Sequence, residues 1–225
     1  MFDITKLALK IPNFLTHQEC DELINEFEQR KEEFLTEGSY NVNKNRYQEN
    51  TFKVVPLIPS TKNFNLVKKK TKKAINLYID YLDQPKYFFT TLLKQKMKFS
   101  HAYRIMKYEK GDEIHPHSDH DPGTYGSISF NLNEDYEGGE FKFFNGNYTV
   151  PLGKGDALIF PADYFWVHEV TPVTKGSRYS LNSFLQMYPM DVRHAWVNEG
   201  NKMNKKYINF IEEKNLLGPY NDLSI

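Results

Sequence analysis

Gly126-Ser127-Ile128-Ser129-Phe130-Asn131-Leu132-Asn133 alternates small polar and large apolar side chains without a break. A period of two belongs to a strand, whose successive side chains point to opposite faces. Ile128, Phe130 and Leu132 therefore define a face that packs on helices, and Ser127, Ser129 and Asn131 a face suited to a wet cavity. Segments of similar texture surround it. Phe99 to Tyr108 lies upstream; Glu140 to Phe144, Tyr148 to Leu152, Asp156 to Phe160, Val167 to Val173 and Arg178 to Met187 lie downstream, separated by Gly, Pro and Asn turns. About eight short antiparallel strands preceded by helices imply an α+β, mainly β fold, a jelly-roll barrel with an N-terminal helical buttress.

The upstream region supplies that buttress. Leu7 to Ile11 reads as a first strand closed by Pro12. Thr16 and Glu19 have capping-box spacing, and Cys20 to Phe34 continues as a helix with Leu23, Ile24 and Phe27 inward. Glu37 to Asn50 is polar and is expected to be a mobile loop. Thr51 to Leu57 reads as a strand. Asn63 to Leu82 reads as a helix with Val67, Ala74, Leu77, Ile79 and Leu82 at helical spacing, and Tyr87 to Lys94 as a further helix. After Pro189 the chain leaves the barrel, with a terminal helix expected over Asn204 to Leu216. The reading is one domain over 1–225: strand, helical support and loop in 1–96, barrel in 97–188, and an extension in 189–225.

Composition agrees with a single domain. The chain has 225 residues, 40% hydrophobic and 15% aromatic, enough for a core of its own. Lys+Arg and Asp+Glu are both 29, so no global field steers the protein toward nucleic acid or an anionic membrane. The one basic cluster, Lys68, Lys69, Lys70, Lys72 and Lys73, reads as the wet face of a helix. The lone Cys20 rules out an internal disulfide framework. Met1 to Lys10 lacks the apolar run of a signal peptide, and no stretch is long enough to span a bilayer. A soluble, cytoplasmic protein is expected; the oligomeric state is left open.

The chemistry-bearing residues are His117-Ser118-Asp119, a distant His168 and then Arg178. A histidine and an aspartate two apart on a strand share a face. A second imidazole from another strand makes a two-histidine, one-carboxylate set, which suits a non-haem Fe(II) that activates O2. An arginine soon after the last ligand can hold the far carboxylate of a co-substrate. His115 and His120 are expected at the rim of such a site, Phe165 and Trp166 in its wall or core, and Gly138-Gly139 in a turn.

The run Tyr108-Glu109-Lys110-Gly111-Asp112-Glu113-Ile114-His115-Pro116-His117-Ser118-Asp119 resembles the Y-x-x-G-x-x-[aromatic or aliphatic]-x-x-H-x-D signature of prolyl 4-hydroxylase-like Fe(II)/2-oxoglutarate oxygenases. The resemblance continues through Leu132-Asn133, Tyr136-Glu137-Gly138-Gly139-Glu140-Phe141, Gly155-Asp156 with Phe160-Pro161, His168-Glu169-Val170-Thr171-Pro172-Val173, and Gly176-Ser177-Arg178-Tyr179-Ser180-Leu181. It covers about Phe99 to Phe184, and Asn13-Phe14-Leu15 with Glu19-Cys20 looks like the family's first-helix segment. It implies the double-stranded β-helix form of the jelly roll. It implies His117, Asp119 and His168 as ligands of Fe(II), with 2-oxoglutarate and O2 as co-substrates and ascorbate as an accessory reductant. The spacing from Tyr108 and Gly111 selects His117 over its neighbours. Arg178 matches the basic residue that pairs with the distal carboxylate of 2-oxoglutarate, Ser180 could add a hydroxyl, and Tyr108 matches a pocket tyrosine. Asn131 falls where some relatives place a carboxylate-binding tyrosine.

The resemblance favours hydroxylation of proline in a peptide or protein, and the Glu37–Asn50 loop, with Arg46 and Tyr47, has the length and polarity of a lid over one. Three other classes share parts of the pattern. An AlkB-like nucleic-acid dealkylase has the same H-x-D and distant histidine, but Phe184 stands where a further arginine would be needed, and a neutral chain gives little phosphate affinity. A cupin-like metal-binding barrel would place a histidine where Asp119 stands. A small-molecule or amino-acid hydroxylase differs only in its pocket lining.

Overall fold

The structure, a computed structural model, describes residues 3–84, 89–121 and 123–189, with only the backbone at 101 and 102. Met1–Met187 forms one compact unit, and a second begins at Tyr188. The first unit opens with a 3-10 turn (Ile4–Leu7), strand β1 (Leu9–Ile11) and helix α1 (His17–Gln29). A short hairpin, β2 (Gly38–Asn41) and β3 (Arg46–Glu49), leads to β4 (Lys53–Pro56). Helices α2 (Lys62–Asp83) and α3 (Thr90–Lys96) precede the barrel strands. These are β5 (Phe99–Tyr108), β6 (Ile114–His117), β7 (Thr124–Asn131), β8 (Glu137–Gly138), β9 (Phe141–Phe143), β10 (Tyr148–Val150), β11 (Ala157–Pro161), β12 (His168–Val170), β13 (Val173–Lys175) and β14 (Arg178–Gln186).

Two antiparallel sheets carry the architecture. A major sheet has the order β1-β11-β7-β14-β5-β4, and a minor one the order β10-β9-β12-β6. Strand β7 behaves as its alternation demands. Ile128, Phe130 and Leu132 pack with Leu23 and Phe27 of α1 and Val67, Ala74 and Tyr78 of α2, while Ser127 and Ser129 line a cavity on the opposite face. A second apolar cluster joins Phe141, Phe143 and Val170 of the minor sheet to Met106, Tyr108 and Phe160 of the major one, with Trp166 among them. The fold is the mainly β jelly roll with a helical buttress. No helix among the described residues is long and apolar enough to cross a membrane.

Helix α1 starts where the capping box requires. Thr16 Oγ1 accepts from the Glu19 N–H at 3.1 Å, and Glu19 Oε2 accepts from the Thr16 N–H at 2.7 Å. It stops at Gln29, short of the expected Phe34, because Arg30 turns out of the helix to donate to the Pro56 carbonyl at 2.8 Å, and a 3-10 turn (Lys31–Glu33) follows. In α2 the inner place expected for Leu77 is taken by Tyr78, whose hydroxyl donates to the Leu7 carbonyl at 2.6 Å; Leu77 stays exposed. The lysine cluster mostly faces outward as expected, although Lys70 pairs with Glu19 at 2.7 Å. Of the helix expected over Tyr87 to Lys94, residues 87 and 88 lie outside the described residues, as does the terminal helix expected over Asn204 to Leu216.

The segment expected to be a mobile loop is instead the β2–β3 hairpin. Tyr40 and Tyr47 are register partners. Asn41 Oδ1 accepts from the N–H groups of Asn43 and Lys44 at 3.0 and 3.1 Å, shaping the turn. The hairpin is tied down at several points. Asn50 N–H donates to the Glu37 carbonyl at 2.8 Å, Val42 N–H to the Pro116 carbonyl at 3.0 Å, and the Glu37 carboxylate pairs with Arg104 of β5.

Candidate functional site

A cavity of about 800 Å³ opens between the sheets. Its floor is the inner face of β5, β7 and β14, its opposite wall carries His117 and His168, and the β2–β3 hairpin borders it. His117 ends β6 and is the register partner of His168 on β12, so the ladder itself brings the imidazoles together, ring centroids 4.3 Å apart. Asp119 lies beyond the end of β6 rather than on the strand as expected. The turn still brings it in: Oδ1 is 3.4 Å from His117 Nε2 and Oδ2 is 3.5 Å from His168 Nε2. One ligand atom from each of these three residues lies within 4.8 Å of the others.

Hydrogen bonding fixes which atoms face inward. His117 Nδ1 lies 2.8 Å from the His115 carbonyl, and His168 Nδ1 3.0 Å from the Trp166 carbonyl. A carbonyl only accepts, so each Nδ1 carries the hydrogen and donates it, and a neutral ring then turns its Nε2 lone pair toward Asp119. Burial lowers His168 to about 4, only partly offset by the Asp119 charge, so that ring is neutral at pH 7. Burial raises the Asp119 carboxyl, but the facing imidazoles and the hydroxyl of Ser127, donating to Oδ2 at 2.5 Å, outweigh it and leave the group below its ordinary range. One carboxylate and two imidazole Nε2 atoms thus converge. A divalent cation relieves that arrangement, and two histidines with one carboxylate suit Fe(II).

Farther along the same floor lies Arg178. It is 1% exposed; its Nη1 donates to Ser180 Oγ at 3.1 Å, its Nε has no partner, and its guanidinium carbon sits 5.1 Å from the Tyr108 ring centre. Among the described residues no carboxylate pairs with it within the structure. A buried guanidinium in that condition calls for an anion. The Tyr108 hydroxyl is pushed up to about 12 by burial, which keeps it protonated and able to donate. Gly139 passes so close that a Cβ there would lie 2.9 Å from Arg178 Cδ, and Gly138 and Gly139 both have positive φ, as their expected turn role requires.

Six of the seven residues singled out from the sequence, His117, Asp119, His168, Arg178, Ser180 and Tyr108, line this one cavity. Asn131 does not. Its amide donates to the carbonyls of Asn133 and Leu152 at 2.7 and 3.2 Å, and its Oδ1 accepts from the Tyr136 hydroxyl at 3.3 Å. Nor is His115 a rim residue: it is buried, with Nε2 2.9 Å from Ser39 Oγ of the hairpin. His120 is exposed at the mouth, its ring 3.6 Å from that of Tyr164. Trp166 is core, whereas Phe165 is 75% exposed. Sequence reasoning passed over Ser127 as a partner of Asp119, although the polar face of β7 contained the signal. It also missed the Arg104–Glu37 pair, which joins segments with no local pattern in common.

Residues 103–186 match the 2OG-Fe(II) oxygenase superfamily, a stretch that contains every one of these cavity residues. The match takes in 84 of the 225 residues, the part of the chain that carries most of the cavity lining. A PKHD-type hydroxylase of Idiomarina loihiensis is 32% identical over 134 residues, covering 55% of this chain and 58% of that protein. Rat procollagen-lysine,2-oxoglutarate 5-dioxygenase 1 is 32% identical over 178 residues, 76% of this chain but 22% of the relative. The chain thus spans little more than half of one relative and about a fifth of the other. In fold, the chain is similar to the viral collagen prolyl hydroxylase of Paramecium Bursaria Chlorella virus-1, solved with 2OG, at a TM-score of 0.60 and 18% identity, covering 81% of this chain and 97% of that one.

Proposed function

We propose that the protein is an Fe(II)- and 2-oxoglutarate-dependent hydroxylase acting on proline within a peptide or protein. The observation that carries this reading is the pairing, in one cavity, of the converging His117/Asp119/His168 cluster with the buried guanidinium of Arg178, whose Nε lacks a partner. The first would hold the metal, the second the far carboxylate of 2-oxoglutarate. Bound iron would supply activation of O2, coupling decarboxylation of 2-oxoglutarate to succinate with insertion of the second oxygen atom into a substrate C–H bond.

The chain's own residues orient and exclude. Nδ1–H bonds to the His115 and Trp166 carbonyls fix both ring planes, and Ser127 fixes the carboxylate. Arg178 offers a planar fork that a carboxylate meets bidentately, with Ser180 holding Nη1 in place. Phe141, stacked 5.4 Å from His168, and Phe160, edge-on at 4.9 Å, keep that side of the site dry. The hairpin would cover the substrate. A macromolecular substrate is supported by relatives named for procollagen lysine and collagen proline, and by a cavity of about 800 Å³ bordered by Ser39, Tyr40 and Tyr47 of the hairpin.

A turnover assay tests the reading. Purified protein with Fe(II), 2-oxoglutarate and proline-containing peptides is expected to form succinate and to add one oxygen to a peptide by intact mass. Absence of both across the panel would overturn it.

A further inference from the structure

Five buried side-chain polar atoms among the described residues lack a hydrogen-bond partner, and three belong to residues that line the cavity: Arg178 Nε, Asn50 Oδ1 and Gln186 Oε1. An orphaned buried acceptor forfeits its hydration without return, so such atoms are expected where a ligand completes them. Arg178 would hold the dicarboxylate, which leaves the other two.

Their positions are well defined. Asn50 closes the base of the hairpin and is 7% exposed. Gln186 ends β14 and is 2% exposed; its Nε2 donates at 3.1 Å to Oγ1 of Thr124, its register partner on β7. That bond occupies the amide nitrogen and leaves the oxygen. The preceding inward row pairs Phe184 with Ser127, the residue that holds Asp119. Gln186 therefore stands one step, roughly 7 Å, beyond the metal row, on the side away from Arg178. The neighbouring polar groups are already committed. Arg104 pairs with Glu37 and donates from Nε to Asn182 Oδ1 at 3.0 Å, Ser127 serves Asp119, and Ser180 serves Arg178.

We propose that Asn50 and Gln186 are specificity-determining residues that accept hydrogen bonds from main-chain N–H groups of the peptide flanking the target residue. This rests on the peptide-hydroxylase reading. Two oxygens require two donors, and an extended peptide supplies them at regular spacing. Proline has no N–H, so the donors belong to its neighbours. The substrate class is then a proline between residues that keep their N–H, and a run of consecutive prolines is a poor substrate.

The test uses an acetylated and amidated Ala-Ala-Pro-Ala-Ala peptide, analogues N-methylated at one alanine at a time, and a proline homopentamer. With the wild-type enzyme, N-methylation at the read positions is expected to raise the peptide KM about two- to tenfold, the loss of one hydrogen bond, and the homopentamer to be turned over poorly. Gln186→Met and Asn50→Leu are expected to raise the parent peptide's KM by a similar factor and to erase the effect of N-methylation at one position each. Gln186→Glu and Asn50→Asp, which retain an acceptor oxygen, are expected to restore sensitivity to it. The KM for 2-oxoglutarate serves as the internal reference. Equal KM values for every N-methylated peptide on the wild-type enzyme would overturn the proposal, and that series needs no variant to fold. Effects of variant and N-methylation that multiply independently would also overturn it. If no peptide gains oxygen at all, the underlying peptide-hydroxylase reading fails, a result distinct from hydroxylation that ignores N-methylation.

Discussion

His117 and His168 face one another across antiparallel strands as register partners, while Asp119, beyond the strand end, is held by the hydroxyl of Ser127. The imidazoles are thus placed by the ladder and the carboxylate by a single side chain from the other sheet. Asp119→Ala is expected to abolish succinate formation. Ser127→Ala, which leaves all three ligands in place, is expected to weaken metal binding about 10- to 100-fold, read by titration with Mn(II). Unchanged Mn(II) affinity would remove Ser127 from this role.

Arg178 is predicted to set the affinity for 2-oxoglutarate. Charge-assisted hydrogen bonds are worth about 1.5–3 kcal/mol each, so Arg178→Met should raise the KM for 2-oxoglutarate about ten- to hundredfold. The lysine replacement keeps charge without the fork and should fall between. A KM within twofold of the wild type in both variants would place the dicarboxylate elsewhere.

The metal-free protein should lose stability as pH falls from about 6.5 toward 4. Burial depresses His168 to about 4 from an ordinary 6.5, so across that window the unfolded chain binds a proton that the folded chain refuses. The lost stability approaches about 3 kcal/mol. Asp119, also lowered, acts in the same direction at still lower pH. Thermal melting between pH 7 and 4.5 checks this, with His168→Asn expected to flatten the profile. A wild-type melting temperature constant over that range would contradict it.

The hairpin should loosen when its ion pair is removed. Glu37 lies at its base and Arg104 is largely buried beside it. Glu37→Gln is predicted to speed hydrogen exchange of amides in 38–49 by roughly tenfold, the loss of about 1.4 kcal/mol of local stability, without lowering the KM for the peptide. Exchange unchanged in that segment would mean that the contacts at Ser39 and Val42 hold the hairpin alone.

What could be read in the sequence was what is local. The alternation of Ser127 to Leu132, the Thr16/Glu19 box and the His117/Asp119 spacing each report on neighbouring residues, and the structure follows all three, with Asp119 displaced from strand to turn. The hairpin could not be read because Tyr40, Val42 and Tyr47 remain exposed, so no buried face patterns its strands; it is held by Arg104, Pro116 and His115, more than 50 residues away. Tyr78 displaced Leu77 because its ring packs inside while its hydroxyl finds a carbonyl in a distant turn. Asn131 was placed in the site by analogy of position, and the carbonyls of the Leu152–Gly153 segment claim it instead.

Gly139 sets a limit on this arrangement. With no side chain, it leaves room for the stem of Arg178, whose Cδ a Cβ there would meet at 2.9 Å. Any larger residue would push the fork along the floor, toward or away from His117 and His168. A position that never touches the dicarboxylate is therefore the ruler against which its carbon chain is measured.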